Sequence, residues 1–444
     1  VTGTRYGSVS DTAAKYFTES LRGFQRTLKL DPTFHLALQH MVQIYAQAAA
    51  PGSNVVLMGD SLRPGGNPAN ERRIGTSDQL TALRGAARVR SREAAAGWLA
   101  TDPDAMAARR ELANAYVALR QPDSAIAVLQ DAIKRKNAER FFEWQVPLIK
   151  ATAGIPSAGL EMHAVLNRYP VDSVKKFSVP DRMRTLFSAV TVGGATGMPS
   201  LFDRASALMQ RTDSVMPGDT VRSKFVMDYY SAGMRVGMGL PMSPSMHNTL
   251  AVAMRMFENT TRVRDISIPY MVFLETRDTV FGSVASRFSG AGLPEIDALT
   301  AIGRGDTAAA TRLADQFPSV DSLRRGTLGM NGMRLMARAE VMHALGRTRL
   351  ATEIYESIDP ARFGMATNPE PGWPLYVRSY LMRGRLYEQL GERERAISSY
   401  ERFLALWKDA EAPLHPQLRE ARQALGRLRD ANAVPVKGSV RGGT

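Results

Sequence analysis

Apolar residues recur at three- and four-residue intervals along almost the whole chain, the spacing of amphipathic helices rather than strands. Residues 12–50 predict two helices, AAKYFTESLRGFQRTLKL and FHLALQHMVQIYAQAAA, parted by Asp31-Pro32. The run NVVLMGDSL at 54–62 is read the same way, as a helix with Val55, Val56, Met58 and Leu62 on one face. Helical spacing continues from Leu80 to Leu99 and stops at Asp102-Pro103. At 107–134 two helices meet through Leu112, Ala113, Tyr116, Ala125, Leu129 and Ala132. Pro122 marks their turn, and Asp123 is the expected N-cap of the second. Residues 141–168 predict a further pair around Trp144, Leu148, Leu160 and Leu166, closed by Tyr169-Pro170.

The stretch 181–290 keeps helical periodicity but fills its apolar positions with methionine, including Met227, Met234, Met238, Met242, Met246, Met254 and Met256. Methionine at that spacing predicts an adaptable core. Two clearer hairpins follow. One pairs Ile296, Leu299 and Ile302 with Ala309, Leu313 and Phe317 across Gly305-Asp306. The other sets Leu335, Ala339, Met342 and Gly346 before Ala351 and Tyr355. A last amphipathic helix at 415–429 carries Leu418, Ala421, Leu425 and Leu428, as an end cap of a helical array requires. The expected organisation is an extension at 1–11, an N-terminal array at 12–171 and a degenerate region at 181–290. A C-terminal array with its cap follows at 293–429, then a disordered tail at 430–444.

Residues 374–408, PLYVRSYLMRGRLYEQLGERERAISSYERFLALWK, show a repeat unit most plainly. Tyr380, Gly384, Tyr387, Gly391, Ala396 and Tyr400 stand at the spacing of a helix–turn–helix repeat of the tetratricopeptide type. Small residues at 384 and 396 let two backbones approach, and the tyrosines fill the space beside them. Together with TLKLDPTF and ALRQPDSAIAVLQ, the spans 12–50, 80–170 and 328–429 resemble tetratricopeptide-repeat regions of large bacterial regulators. Such regions lie downstream of Ser/Thr kinases and activator-type transcription factors in GC-rich, gemmatimonad-like bacteria. The resemblance implies an all-α fold: a right-handed α-solenoid, degenerate in the middle, with a C-terminal capping helix. Phe403 departs from the small residue usual at its position, and the middle third matches poorly.

Composition narrows the chemistry. The 444 residues include no cysteine, which excludes disulfides and thiolate metal sites. The formal charge of +14 comes mainly from arginines interleaved with acids, as in Arg383, Arg385, Glu388, Glu392, Arg393 and Glu394. Mixed charge of that kind describes a solvated helix face rather than a phosphate-tracking stripe, so no nucleic acid is expected. The most apolar run, Leu186 to Phe202, is broken by Gly193, Gly194, Gly197 and Pro199 and predicts no transmembrane helix. The first residue is Val1 in a polar run, which leaves location undecided with an extracytoplasmic setting slightly favoured.

Gly59-Asp60-Ser61-Leu62 resembles the first block of GDSL-type serine esterases, in which the serine is the nucleophile. That family's later glycine and asparagine blocks and its Asp-x-x-His pair are missing, since Ala412 stands three residues before His415. His35 and His40 are five residues apart, which turns them about 140° from each other on a helix. They are expected in a core or groove rather than on a metal, and His163, His247 and His343 stand alone in sequence. The glycines at 192–197 and 233–239 lack dinucleotide-loop spacing. No catalytic residue, metal ligand or cofactor is assigned. Arg110 and Asn114 lie one turn apart beside Tyr116. Some tetratricopeptide domains use a basic residue and an asparagine so placed to hold a peptide's terminal carboxylate, which makes this pair the candidate peptide groove.

These observations predict a noncatalytic scaffold that binds a protein or peptide along its concave face, as a subunit of a larger homo- or hetero-oligomeric assembly. The alternatives are a sensory or regulatory module of a membrane-tethered kinase or transcription factor and, remotely, a GDSL-like hydrolase.

Overall fold

The computed structural model describes residues 10–50, 53–65, 68–135, 141–155, 157–212, 220–248, 294–319, 332–358 and 372–430. Met254, Met256, the 1–9 segment and the 431–444 tail therefore lie outside the described residues. Helices dominate, arranged largely as antiparallel hairpins.

Helix α1 (Asp11–Leu30) starts where the Ser10 hydroxyl accepts from the Ala13 amide at 3.2 Å. It stops at Asp31-Pro32 because proline has no N–H to continue the ladder. The Asp31 carboxylate instead accepts from the Thr33 amide at 2.9 Å. Helix α2 (His35–Ala49) then packs along α4 (Ser77–Thr101), whose start carries a reciprocal Thr76–Gln79 capping box.

Between α2 and α4 the helical expectation for 54–62 is overturned. Strand β1 (Val55–Met58) pairs antiparallel with β2 (Ser61–Pro64), with Val56 opposite Arg63 and Leu57 opposite Leu62. Two β-branched valines favour extended backbone, and Gly59 takes the left-handed conformation (φ +60°) that a two-residue hairpin turn needs. Thr18 of α1 accepts the Leu62 amide at 2.9 Å, so the hairpin is bound in rather than projecting. A short helix α3 (Pro68–Ile74) follows.

The next hairpins are α5 (Met106–Ala118) with α6 (Pro122–Ile133), and α7 (Phe141–Ala153) with α8 (Ala158–Arg168). Asp123 is not the N-cap of α6. Pro122 already occupies the first helical position, where its missing N–H costs nothing, and Gln121 is the cap without a side-chain bond. Trp144, Leu148 and Leu166 are buried as expected, whereas Leu160 is exposed because it faces away from α7 and α10. A single turn α9 (Val171–Lys175) leads into the middle region.

Helices α10 (Val179–Thr196), α11 (Pro199–Arg211) and α12 (Thr220–Met238) form the hub. Met234, Met238, Met242 and Met246 are buried there, as an adaptable core requires. The C-terminal hairpins are α13 (Pro294–Gly303) with α14 (Thr307–Ala314), α15 (Gly332–Ala344) with α16 (Thr348–Glu356), and α17 (Gly372–Gln389) with α18 (Arg393–Leu406). Asp306 caps α14 by accepting from Ala309 at 2.9 Å. Helix α19 (His415–Asp430) closes the end through Leu418, Ala421, Ala424 and Leu425.

One apolar core runs from Trp144 through α10 to Leu425, so the C-terminal hairpins do not stand free. Helix α17 is wrapped by α18 and α16 and also by α10 and α12 from the middle of the chain. The N-terminal core around Leu21, Val42, Val55 and Leu112 is a separate cluster.

The α17–α18 crossing makes a direct prediction. A Cβ on Gly384 would lie 2.6 Å from the Tyr400 ring, while Gly23 in α1 has open space around it. Gly384→Ala should lower unfolding stability by about 1–3 kcal/mol through overpacking. Gly23→Ala should raise it by about 0.5–1 kcal/mol through helix propensity. Urea unfolding of both variants measures the contrast, and equal midpoints would contradict the packing described.

Candidate functional site

Two polar constellations and one repeat stand out once side chains are placed. On α5, Arg110 and Asn114 are one turn apart and half-buried. Arg110 Nε donates to Glu111 at 3.4 Å. Asn114 Oδ1 accepts from Gln145 Nε2 of α7 at 3.1 Å. Gln145 is only 5% exposed, and its Oε1 is buried without a partner among the described residues. The side-chain row Arg110–Asn114–Gln145 therefore crosses from one hairpin to the next. It offers a cation, an amide donor and an unpaired acceptor, the groups that bind peptide main chain. Gln145 carried no sequence signal, because it lies 31 positions from Asn114 and no motif spans that gap.

The second constellation joins distant segments. Ser200, near the start of α11, has its hydroxyl 3.0 Å from His163 Nε2 of α8 and also bonded to the Glu411 carboxylate. The Ser200 amide donates to Glu411 Oε2 at 3.0 Å. His163, isolated in sequence, is thus part of a joint between α8, α11 and the turn after α18. The arrangement is not a nucleophile relay. Glu411 holds the serine rather than the far nitrogen of the imidazole. It also sits on the helix-terminal amide that an oxyanion would need. Its fit is that of a carboxylate at a helix N-terminus. Burial pulls the His163 pKa below its ordinary value, and Arg204 acts in the same direction against the opposing pull of Glu411.

Ser61, the residue that suggested an esterase, lies on β2 with its hydroxyl accepting from Arg22 at 3.3 Å. Its neighbour Asp60 is paired with Arg90 at 2.5 Å, and neither interaction supplies a base. His40 stacks on Phe24 with ring centres 5.2 Å apart, as a groove or core histidine would. His35, expected in the same setting, is instead exposed at the first residue of α2, before the helix has a neighbour. Among the described residues no three His, Asp or Glu side chains stand together as a metal site, and no helix is long and apolar enough to cross a membrane.

The α17–α18 hairpin has the geometry its sequence promised. The Tyr400 ring lies over Gly384, and its hydroxyl donates to Glu388 at 2.5 Å. The Tyr387 hydroxyl donates to Glu356 at the end of α16, which ties this hairpin to the one before it. Burial and that carboxylate push the Tyr387 pKa up to about 12. Arg383 stacks on Tyr380 and Arg395 on Tyr387, at 4.7 and 4.6 Å from the ring centres. Residues 377–406, this same hairpin, match the tetratricopeptide repeat family. This segment is similar to a tetratricopeptide repeat. No curated protein matches the chain. Among solved structures, yeast Tom70 is similar at 11% identity over 96% of this chain and 98% of that one, with a TM-score of 0.28. A circular tandem repeat protein with novel repeat topology and enhanced subunit contact surfaces is similar at 10% identity, covering 95% of this chain and 91% of its own, with a TM-score of 0.18. Superpositions that loose say nothing of how the helices here are arranged. The likeness to a tetratricopeptide repeat thus rests on this hairpin's own residues, and repeats of this type are interaction scaffolds.

The Ser200 joint predicts a pH response. A histidine kept neutral by burial takes up its proton more readily in the unfolded chain, so stability is full above the ordinary pKa of 6.5 and declines as the pH falls below it. His163→Gln should flatten that decline in thermal unfolding measured across the range. A wild-type profile with no fall below 6.5, or an unchanged slope in the variant, would contradict this environment.

Proposed function

We propose that the chain is a noncatalytic scaffold that holds an extended peptide segment of a protein partner along the concave face of its N-terminal array, with Arg110, Asn114 and Gln145 as the contact row. In this reading 12–171 and 293–429 are the two repeat arrays and 181–290 joins them. The observation that carries it is the Asn114–Gln145 pair: two adjacent hairpins share a hydrogen bond between side-chain amides and leave a buried acceptor unpaired among the described residues. A peptide carbonyl or carboxylate beside the half-buried Arg110 and Asn114 would extend that row, with Gln145 behind them holding Asn114 in place. Since specificity lies in such polar groups, while apolar packing builds the hairpins, one scaffold separates stability from recognition.

The test is fluorescence anisotropy with a panel of labelled acidic and neutral peptides. Arg110→Ala and Asn114→Ala, each removing one side chain from a half-buried surface, should weaken the best binder by roughly 10- to 100-fold, the scale of a charge-assisted hydrogen bond. The unfolding midpoint of Arg110→Ala should stay at the wild-type value, while that of Asn114→Ala, which strips the buried Gln145 Nε2 of its acceptor, should fall modestly. A panel that yields no binder, or binding indifferent to both substitutions, overturns this site.

A further inference from the structure

The C-terminal end of α12 sits against the hairpin at 377–406 and the helix that caps it. Helix α12 ends in a Schellman turn. The Leu240 amide donates to Arg235 O at 2.8 Å, the Gly239 amide donates to Val236 O at 2.9 Å, and Gly239 adopts φ +74°. Such a turn leaves the last carbonyls of the helix, and the negative end of its dipole, pointing outward. Here they point into the C-terminal repeat. Arg378 Nη1 of α17 donates to Val236 O at 3.3 Å, and Gln417 Nε2 of the capping helix α19 donates to Met238 O at 2.8 Å.

Arg378 lies on the side of α17 turned away from α18. It shares that stripe with Pro374, which faces Gly194 of α10, and with Arg385, whose guanidinium meets Glu420 of α19 at 2.6 Å. Repeat and cap thus form a notch that reads main-chain carbonyls. A β-carbon on Gly239 would come within 3.0 Å of the Arg378 guanidinium, and the positive φ of this position favours glycine. The occupant does not satisfy it fully. Gln417 Oε1 remains buried without a partner, because a helix C-terminus has carbonyls to offer and no free N–H. Meanwhile α12 is anchored to the hub on its other face through the Ser206–Ser231 hydroxyl pair at 2.7 Å.

We propose that the Arg378–Gln417 notch is a receptor for the glycine-terminated C-terminal end of an α-helix, filled in cis by residues 235–240. A partner helix ending in the same turn would then bind this repeat only by displacing α12. This goes beyond the scaffold reading at Arg110 and stands on the α12 joint alone, so either can fail without the other.

The experiment uses the full chain and a fluorescein-labelled peptide copying residues 228–242. Gly239→Val, which cannot hold φ +74° or fit beside Arg378, should vacate the notch. Its affinity for the peptide should then be at least about tenfold above wild type. Adding Arg378→Ala to that variant should abolish the gain. Hydrogen exchange on the wild-type chain supplies an independent readout. Amides of 230–238 should open well before those of 380–387, and Gln417→Ala should speed the first set about tenfold without moving the second. Equal peptide affinity in wild type and a folded Gly239→Val, or exchange of 230–238 only together with 380–387, overturns the proposal. If Gly239→Val fails to fold, the exchange result decides.

Discussion

Helices in this molecule come together where side chains are missing. At Gly384 the backbone of α17 passes directly under the Tyr400 ring. At Gly194 α10 meets Met234 and Pro374, and at Gly159 the start of α8 abuts Met198. Each crossing lets two or three cylinders share one apolar seam, and the buried tyrosines, tryptophans and methionines fill the remainder to solid density. Amphipathic helices of 8 to 25 residues have little stability of their own, so the elements exist because these contacts exist. The polar features follow from that frame: Glu356 can receive Tyr387, and Glu411 can reach α11, only because the backbones beneath them are fixed at close range.

How much of this is readable beforehand depends on where the information resides. The hairpin at 374–408 is plain because its small and aromatic residues are fixed by the sterics of one local crossing. The hairpins at 293–317 and 328–358 follow from the same periodicity. The strand pair at 55–64 is not, since the one apolar run of four residues, Val55–Met58, suits a helix face and a strand equally, and the deciding element is the backbone of Gly59. Asp123 misled by two positions because Pro122 is itself a good helix start and Gln121 becomes the cap.

The candidate sites were legible only where they are local. Arg110 and Asn114 sit one turn apart on one helix, and their spacing could be seen. Gln145 joins them from the next hairpin, and His163, Ser200 and Glu411 converge from three segments without any shared motif. The seat of α12 is harder still. Arg378 and Gln417 grip carbonyl oxygens, which every residue possesses, so the recognised segment leaves no trace in residue types beyond the glycine at its end.

The bond from Ser200 to Glu411 links positions 211 apart, and Ser157 to Asp409 spans 252. A linear array of repeats touches only its neighbours and melts piecemeal from its ends, each unit with its own transition. Here the last repeat is fastened to the middle, which turns an open row into a loop closed by contacts far apart in sequence. Loss of the C-terminal repeat strips the hub of its cover, and loss of the hub leaves α17 exposed on two sides. One carboxylate at a helix end thus carries the contacts of the C-terminal hairpin back to the middle of the chain.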